Sequence, residues 1–406
     1  MIKSIVAHTA EVDDKDAAVA EILAKVQGEG PLLKNSVGLI YTVPDFIHSG
    51  VAQAVSTAFP FAVVGTTTIA ALTADTDDPE MSLTLTILTS DDVNFIPALT
   101  EPFDGEDDGP IRDAYGKAVA RAHEEGLSEG ESPKLILSYV PLLNNVGGDF
   151  FVNSMAEISG GVPNFGTLSV DNTIDYAESS VLYEGGHYRD RYAFVLLTGE
   201  VDMKFHIATL PAERVFSDRG VITDVSGNLI KAVNDIPVSD YLVSLGLKRD
   251  ADGVVIGVNV YPFVVDFGDG SDPVIRVLFA ITPEGYAVCG GNVPQGAVIS
   301  VGYIDADIVV EATTGKLDEI IEEGVPGTGV MLAFSCIGRY LTLGYNSDME
   351  MNVVRGKLGA AGMNYSFMYS GGEICPVKGT GMDGERGAGS AVNRFHNDTF
   401  TVLTLS

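Results

Sequence analysis

The 406 residues contain no apolar run approaching the roughly 18 that a membrane helix needs. AFVLL (193–197) and VVIGVNV (254–260) are both broken early. Positive charge is scarce: 24 Lys and Arg stand against 56 Asp and Glu, a formal net charge of −32. Phosphate backbones and anionic lipid repel such a chain, which argues against nucleic acid and membrane surfaces as partners. Cysteine is scarcer still. Cys289, Cys336 and Cys375 form no CxxC and no even framework. A reducing cytoplasm is the natural compartment, with the thiols as small core residues. The N-terminal MIKSIVAH passes into an acidic, helix-like stretch and not into a signal-peptide pattern.

Apolar residues are abundant, at 46%. That content excludes extensive disorder, and the length predicts two or three domains. One unit recurs three times. The first copy starts at SVGLIYT (36–42), a buried-strand pattern. A helix-like segment follows with Ile47, Val51, Val55 and Phe59 on one face, then the strand FPFAVVGTTT (59–68). MSLTLTIL (81–88) alternates apolar and hydroxyl residues, as a half-buried strand does. The second copy runs from KLILSYV (134–140) through a helix carrying Phe151, Met155 and Ile158 to VPNFGTLSVD (162–171). YAFVLLT (192–198) and VDMKFHI (201–207) complete it. The third is GVMLAFSCIGR (329–339), a helix from Ser347, MNYSFMYSGGEI (363–374) and DTFTVLTLS (398–406).

Between the copies, Pro110 suits the first turn of a helix over 111–125, and Gly324 closes a helix begun at 313. The run 224–246 reads as a turn, a strand and a helix bridging two domains. The predicted architecture is α/β, with mixed sheets packed against helices in repeated strand-helix-strand-strand units. A boundary near 225 gives domains 1–225 and 226–406.

AFSCIGR, a helix carrying Glu350, YSGGEICP and FHNDTFTVLTL together resemble the C-terminal FIST domain. VLYEGGHYRDRYAFVLLTG and the run 221–246 resemble the end of the N-terminal FIST domain and its passage into the C-terminal one. FAVVGTTT resembles the first glycine strand of that N-terminal domain. The resemblance spans nearly the whole chain. It implies a sensory module for small ligands such as amino acids. Some members bind haem and respond to nitric oxide. No kinase, cyclase or methyl-accepting segment is visible, so output would need a separate partner, such as a histidine kinase or chemoreceptor.

Six residues stand out as candidate ligand contacts. Arg339 ends a strand, where its planar fork matches a carboxylate or pairs internally with Glu350 or Glu373. Glu373 follows two glycines and must be paired or wet, because a lone buried charge is costly. It receives a ligand's ammonium or it pairs with Arg339. Glu350 fits a capping box begun by Ser347, with ligand contact as the alternative. His396 is a hydrogen-bond donor, a haem ligand or a turn-fixing residue. Ser335 and Asn397 would support the ligand. The other histidines lack metal-ligand spacing, so no metal is expected and no cofactor except, alternatively, haem. GTGMDGERGAGS (379–390) lacks a P-loop's Lys-Ser/Thr ending and reads as a loop over the cleft. The leading expectation is a non-enzymatic cytoplasmic sensor whose Arg339 takes a carboxylate and Glu373 an amine. The alternatives are a haem sensor of nitric oxide, a hydrolase or transferase using Cys336, and a scaffold with an empty cleft.

Overall fold

A computed structural model describes residues 1–324, 328–379 and 391–406. It contains mixed sheets packed against helices, organised around three units of identical strand order. Each unit runs outer strand, hairpin strand, central strand, parallel strand. In the first these are Lys3–Thr9, Leu83–Ser90, Asn35–Thr42 and Val63–Thr67. In the second they are Asn94–Leu99, Ala193–Thr198, Leu135–Val140 and Asn164–Leu168. In the third they are Met203–Ala208, Phe400–Leu405, Val330–Cys336 and Tyr365–Ser370. The last two strands of each unit are parallel and joined by helix, while the other neighbours are antiparallel.

Each unit also lends strand to a neighbour. Ala71–Leu72, following the first unit's parallel strand, pairs with Tyr365–Ser370 of the third. Val181–Tyr183, following the second unit's parallel strand, pairs with Val63–Thr67 of the first. Glu373–Lys378, following the third unit's parallel strand, pairs with Asn164–Leu168 of the second. The exchange is cyclic, so the three sheets close around one shared core. At its centre Tyr41, Tyr139 and Phe334 come from equivalent positions of the three central strands. The two tyrosine hydroxyls lie 3.0 Å apart, and Tyr41 meets Phe334 edge-on at 5.8 Å.

This closure corrects the half-buried reading of 81–88. Leu83, Leu85 and Ile87 pack under the helices, and the intervening Thr84, Thr86 and Leu88 are buried as well. Threonine hydroxyls here face protein and not water. The helices follow their predicted signals. Asp14 caps Lys15–Gly28 and Asp305 caps Ala306–Glu323, each accepting from main-chain N–H groups. Pro110 sits in the first turn of Gly109–Glu124, and Gly324 caps the end of Ala306–Glu323. The face through Ile47 and Phe59 splits into Pro44–His48 and Val51–Thr57, because Gly50 turns left-handed between them.

Strand 201–207, expected to complete the second unit, instead forms Met203–Ala208 against Phe400–Leu405 of the third. Between that strand and helix Ala306–Glu323 an antiparallel sheet is inserted. Its order is Val274–Arg276, Phe263–Asp266, Val298–Gly302, Val215–Ser226, Leu229–Val233, Ala287–Cys289, Leu278–Ile281. It has its own core of Ile222, Val233, Leu242, Phe263 and Val301. The 224–246 run lies within this inserted sheet and its helix Val238–Ser244, so position 225 falls inside a strand. A buried pair fastens the insert to the second unit. Arg276 donates to Asp149 at 2.8 Å and to the Phe395 carbonyl at 2.7 Å.

Gly65 and Gly166 sit at equivalent positions, opposite Ile40 and Ser138. A Cβ would lie 1.8 Å from the Ile40 carbonyl oxygen at Gly65 and 2.1 Å from the Ser138 carbonyl oxygen at Gly166. Neither backbone can retreat from a sheet buried on both sides. Gly65→Ala or Gly166→Ala should therefore lose about 3 kcal/mol or more of stability by overpacking. Gly116→Ala, on an open helix face, should gain roughly 0.5–1 kcal/mol. Urea unfolding of the three variants checks both signs.

Candidate functional site

The candidate residues gather where the central and parallel strands of the third unit end. Ligand sites of α/β sheets commonly lie at such carboxyl ends. The strand Val330–Cys336 delivers Ser335 there, and the helix Ile337–Leu343 that follows delivers Arg339. Glu350 arrives on the first turn of Met349–Ala360. All three are buried. Arg339 donates to Glu350 Oε1 through Nε at 3.1 Å and through Nη2 at 2.8 Å. Nη2 also meets the Val309 carbonyl at 3.0 Å and Thr313 Oγ1 at 2.6 Å. Thr313 donates to Glu350 Oε1 at 2.6 Å, and Ser335 to Oε2 at 2.8 Å.

These contacts select the internal salt bridge for Arg339 and overturn the capping box. The helix N-cap is Asp348, with no side-chain cap bond, and Glu350 turns inward to neutralise the guanidinium. The physical reason is cost. An isolated buried cation is penalised by several kcal/mol, far more than a helix cap returns. The expected grip, with Arg339 on a ligand carboxylate, fails for the same reason: the guanidinium already holds one.

Glu373 and His396 are cross-strand partners at the end of the adjoining hairpin, and both are buried. Glu373 Oε2 accepts from Thr399 at 2.6 Å, while Oε1 has no hydrogen-bond partner among the described residues. Burial pushes its carboxyl well above the usual range. Asp398, also buried, is raised to about 6 by the same cause, and its Oδ2 lacks a partner among the described residues. Cys336 lies between these acids. Burial, then the nearby Glu373 and Asp398, drive its thiol well above its ordinary value. The His396 Nε2 lies 2.9 Å from the Cys375 carbonyl. Burial lowers the ring to about 4, so it is neutral at pH 7. Asn397 donates to the His396 carbonyl at 3.0 Å.

The structure thus joins Arg339, Glu350 and Ser335 in one hydrogen-bonded network and sets Glu373, His396 and Asn397 beside one another as a second buried group, with no hydrogen bond from one of their side chains to another. Arg339 lowers both Glu373 and Asp398 through its charge without bonding either. A haem does not fit His396, the residue proposed for it. The ring is 1% exposed and its Nε2 is committed to a carbonyl. Among the described residues no cluster of three or more His, Cys, Asp or Glu could hold a metal. No helix among them is long and apolar enough to cross a membrane. Residues 380–390 of the glycine-rich stretch lie outside the described residues.

An open cavity of about 640 Å³ adjoins this second group and has His396 in its wall. It runs beside the outer strand Met203–Ala208 and helix Ala306–Glu323, facing the insert and residues 376–378. Lys204, Lys316 and Lys378 contribute positive charge, and Asp272, Glu319 and Glu323 negative charge. Lys204 pairs with Glu323 at 3.1 Å, and Lys316 pairs with Glu319. His206 also lines it, with its pKa lowered by burial. Neither the cavity nor Thr313, Asp398 and Thr399 was singled out from sequence. The only signal for Asp398 and Thr399 was their place in FHNDTF, and Thr313 carried none.

Two outcomes follow from this geometry. Arg339→Ala should lose about 3–5 kcal/mol in chemical denaturation, because Glu350 is left charged and unpaired in the interior. Asp398 carries the pH signature. Its folded pKa lies above its unfolded value of 3.8, so its contribution is full below that value and is lost as pH rises through about 6. His396, depressed to about 4, acts oppositely, losing stability as pH falls below its unfolded value of 6.5. Asp398→Asn isolates the first effect. The stability of the variant relative to the parent should climb by about 3 kcal/mol between pH 4 and 6 and stay level above, as read by urea unfolding across that range.

The sequence comparisons agree with this architecture. The FIST N domain matches residues 36–236, and the FIST C domain matches residues 231–376. No curated relative matches. Among solved structures, a cyanuric acid hydrolase from A. caulinodans is 10% identical with a TM-score of 0.38, over 100% of this chain and 99% of that one. PurL from T. maritima complexed with AMPPCP is 10% identical with a TM-score of 0.20, over 100% of this chain and 72% of that one. The two domain matches overlap at 231–236, inside the inserted sheet, and together span 36–376. The chain belongs to the FIST family, whose domains are associated with sensory roles in signal transduction.

Proposed function

We propose that this chain is a cytoplasmic sensory protein that binds an amino acid or a related small polar molecule in the 640 Å³ cavity. It passes the signal to a separate protein, such as a histidine kinase or chemoreceptor. The observation that carries the reading is the cavity wall itself. Lysines and carboxylates from several elements face one space beside the neutral His396. Its volume falls within the roughly 300–1,000 Å³ range of small-molecule sites. A two-signed wall complements a molecule bearing both charges.

This reading moves the site from the Arg339–Glu373 cleft to the edge of the third unit, and it includes no catalytic role. The raised thiol of Cys336 supports that, because a protonated thiol is a poor nucleophile.

A thermal-shift panel of amino acids and organic acids on the full chain tests the proposal. At least one compound should raise Tm, and Lys378→Ala should abolish or strongly reduce that shift. Lys378 is exposed, so the variant should fold as the parent does. A panel without any shift, or a shift indifferent to Lys378, would refute the site.

A further inference from the structure

Half of the cavity wall is apolar, and its arrangement specifies a ligand more narrowly than charge alone. The outer strand Met203–Ala208 is an edge strand, pairing on one side only with Phe400–Leu405. It brings both of its faces to the cavity. Phe205 and Ile207 come from the face that packs toward the shared core, while Lys204 and His206 come from the other. Across the space, Val264 and Ile275 of the insert and Val377 of the hairpin continue the apolar side.

The basic residues show a second bias. Acids outnumber Lys and Arg by 56 to 24 along the chain. Around this cavity three lysines meet three carboxylates, so the local balance is neutral. The three lysines come from a strand, a helix and a hairpin. Lys204 and Lys316 are paired with Glu323 and Glu319, and Lys378, which has no ion pair among the described residues, stands beside an apolar strip in a molecule that otherwise repels anions.

Resting on the reading that this cavity binds a small molecule, we infer that its ligand is a carboxylate with an apolar body, aliphatic or aromatic. The apolar strip takes the body, and Lys378 takes the carboxylate. Hydrophilic amino acids are poor ligands on this account, because they leave Phe205, Ile207 and Val264 facing a polar side chain.

The experiment is calorimetric titration of the full chain with straight-chain carboxylates from acetate to hexanoate, with 3-phenylpropanoate and with glycine and glutamate. Affinity should rise about fourfold per added methylene, the ratio expected for burying a CH₂ group. Hexanamide, with the same body and no charge, should bind at least tenfold more weakly than hexanoate. Ile207→Glu should remove hexanoate binding. A second variant, Lys378→Glu, should weaken it at least fivefold, so the test survives if Ile207→Glu fails to fold. Affinity that does not change with chain length, or equal binding of the amide, overturns the inference. Binding of glycine or glutamate with no binding of hexanoate overturns it as well, while leaving the cavity as a binding site. If no compound binds, here or in the wider panel, the inference and the cavity reading fall together.

Discussion

Three sheets can close around one core here only because each unit lends its following strands to a neighbour. That exchange forces the central strands to meet at Tyr41, Tyr139 and Phe334. It also brings the carboxyl ends of the parallel strands together, where Thr66 donates to Ser169 at 2.8 Å and Thr167 to Ser370 at 2.7 Å. The close approach at Gly65 and Gly166 is the local cost of this arrangement. Most of what distinguishes one part of the molecule from another follows from how completely each unit is covered.

The outer strands of the first two units each bond to a neighbour. Ser4 of the first bonds the backbone at Thr328 and Gly329, and Asn35 of the first reaches the Val93 carbonyl and the Asn94 side chain at the second unit's outer strand. The third unit differs because a whole antiparallel sheet is inserted beside its outer strand. Arg276 and Asp149 anchor that insert on one side. On the other side a space stays open along Met203–Ala208, and there the cavity forms. Polar residues at the strand ends are, by contrast, closed off from solvent. Arg339 and Glu350 satisfy each other, and burial makes both Glu373 and Asp398 hold their protons more tightly than a free carboxyl does. Chemistry-bearing residues at the strand end are thus buried inside the third unit, and the open space lies at its rim.

The repeated unit was legible in the sequence because each copy keeps its order of strand, helix and glycine-bearing strand. Pro110 and Gly324 marked helix ends correctly, since capping is decided by local backbone chemistry. The strand at 203–208 was assigned to the wrong unit. It follows Ala193–Thr198 by a short connection, as a hairpin partner would, yet it pairs with the last strand of the chain. Alternation along a strand says which side is buried, not which strand lies alongside. Arg339 was found, but its partner was left open among three choices, because spacing in sequence carries no information about a contact made through burial. Glu350 was misread for the opposite reason. A local pattern, Ser-x-x-Glu, was present, and a tertiary ion pair outweighed it. The cavity had no sequence signature at all, since its walls come from residues 204–215, 264–275, 316–323, 376–378 and 396.

The central claim is that ligand binding occurs at the edge of the third unit and not in the closed networks behind it. Amide hydrogen exchange with and without a saturating ligand from the panel tests this most directly. The account predicts slowed exchange in 203–209, 273–275 and 376–378, with 335–350 unchanged. Protection confined to 335–350, with the 203–209 edge exchanging as before, would contradict it.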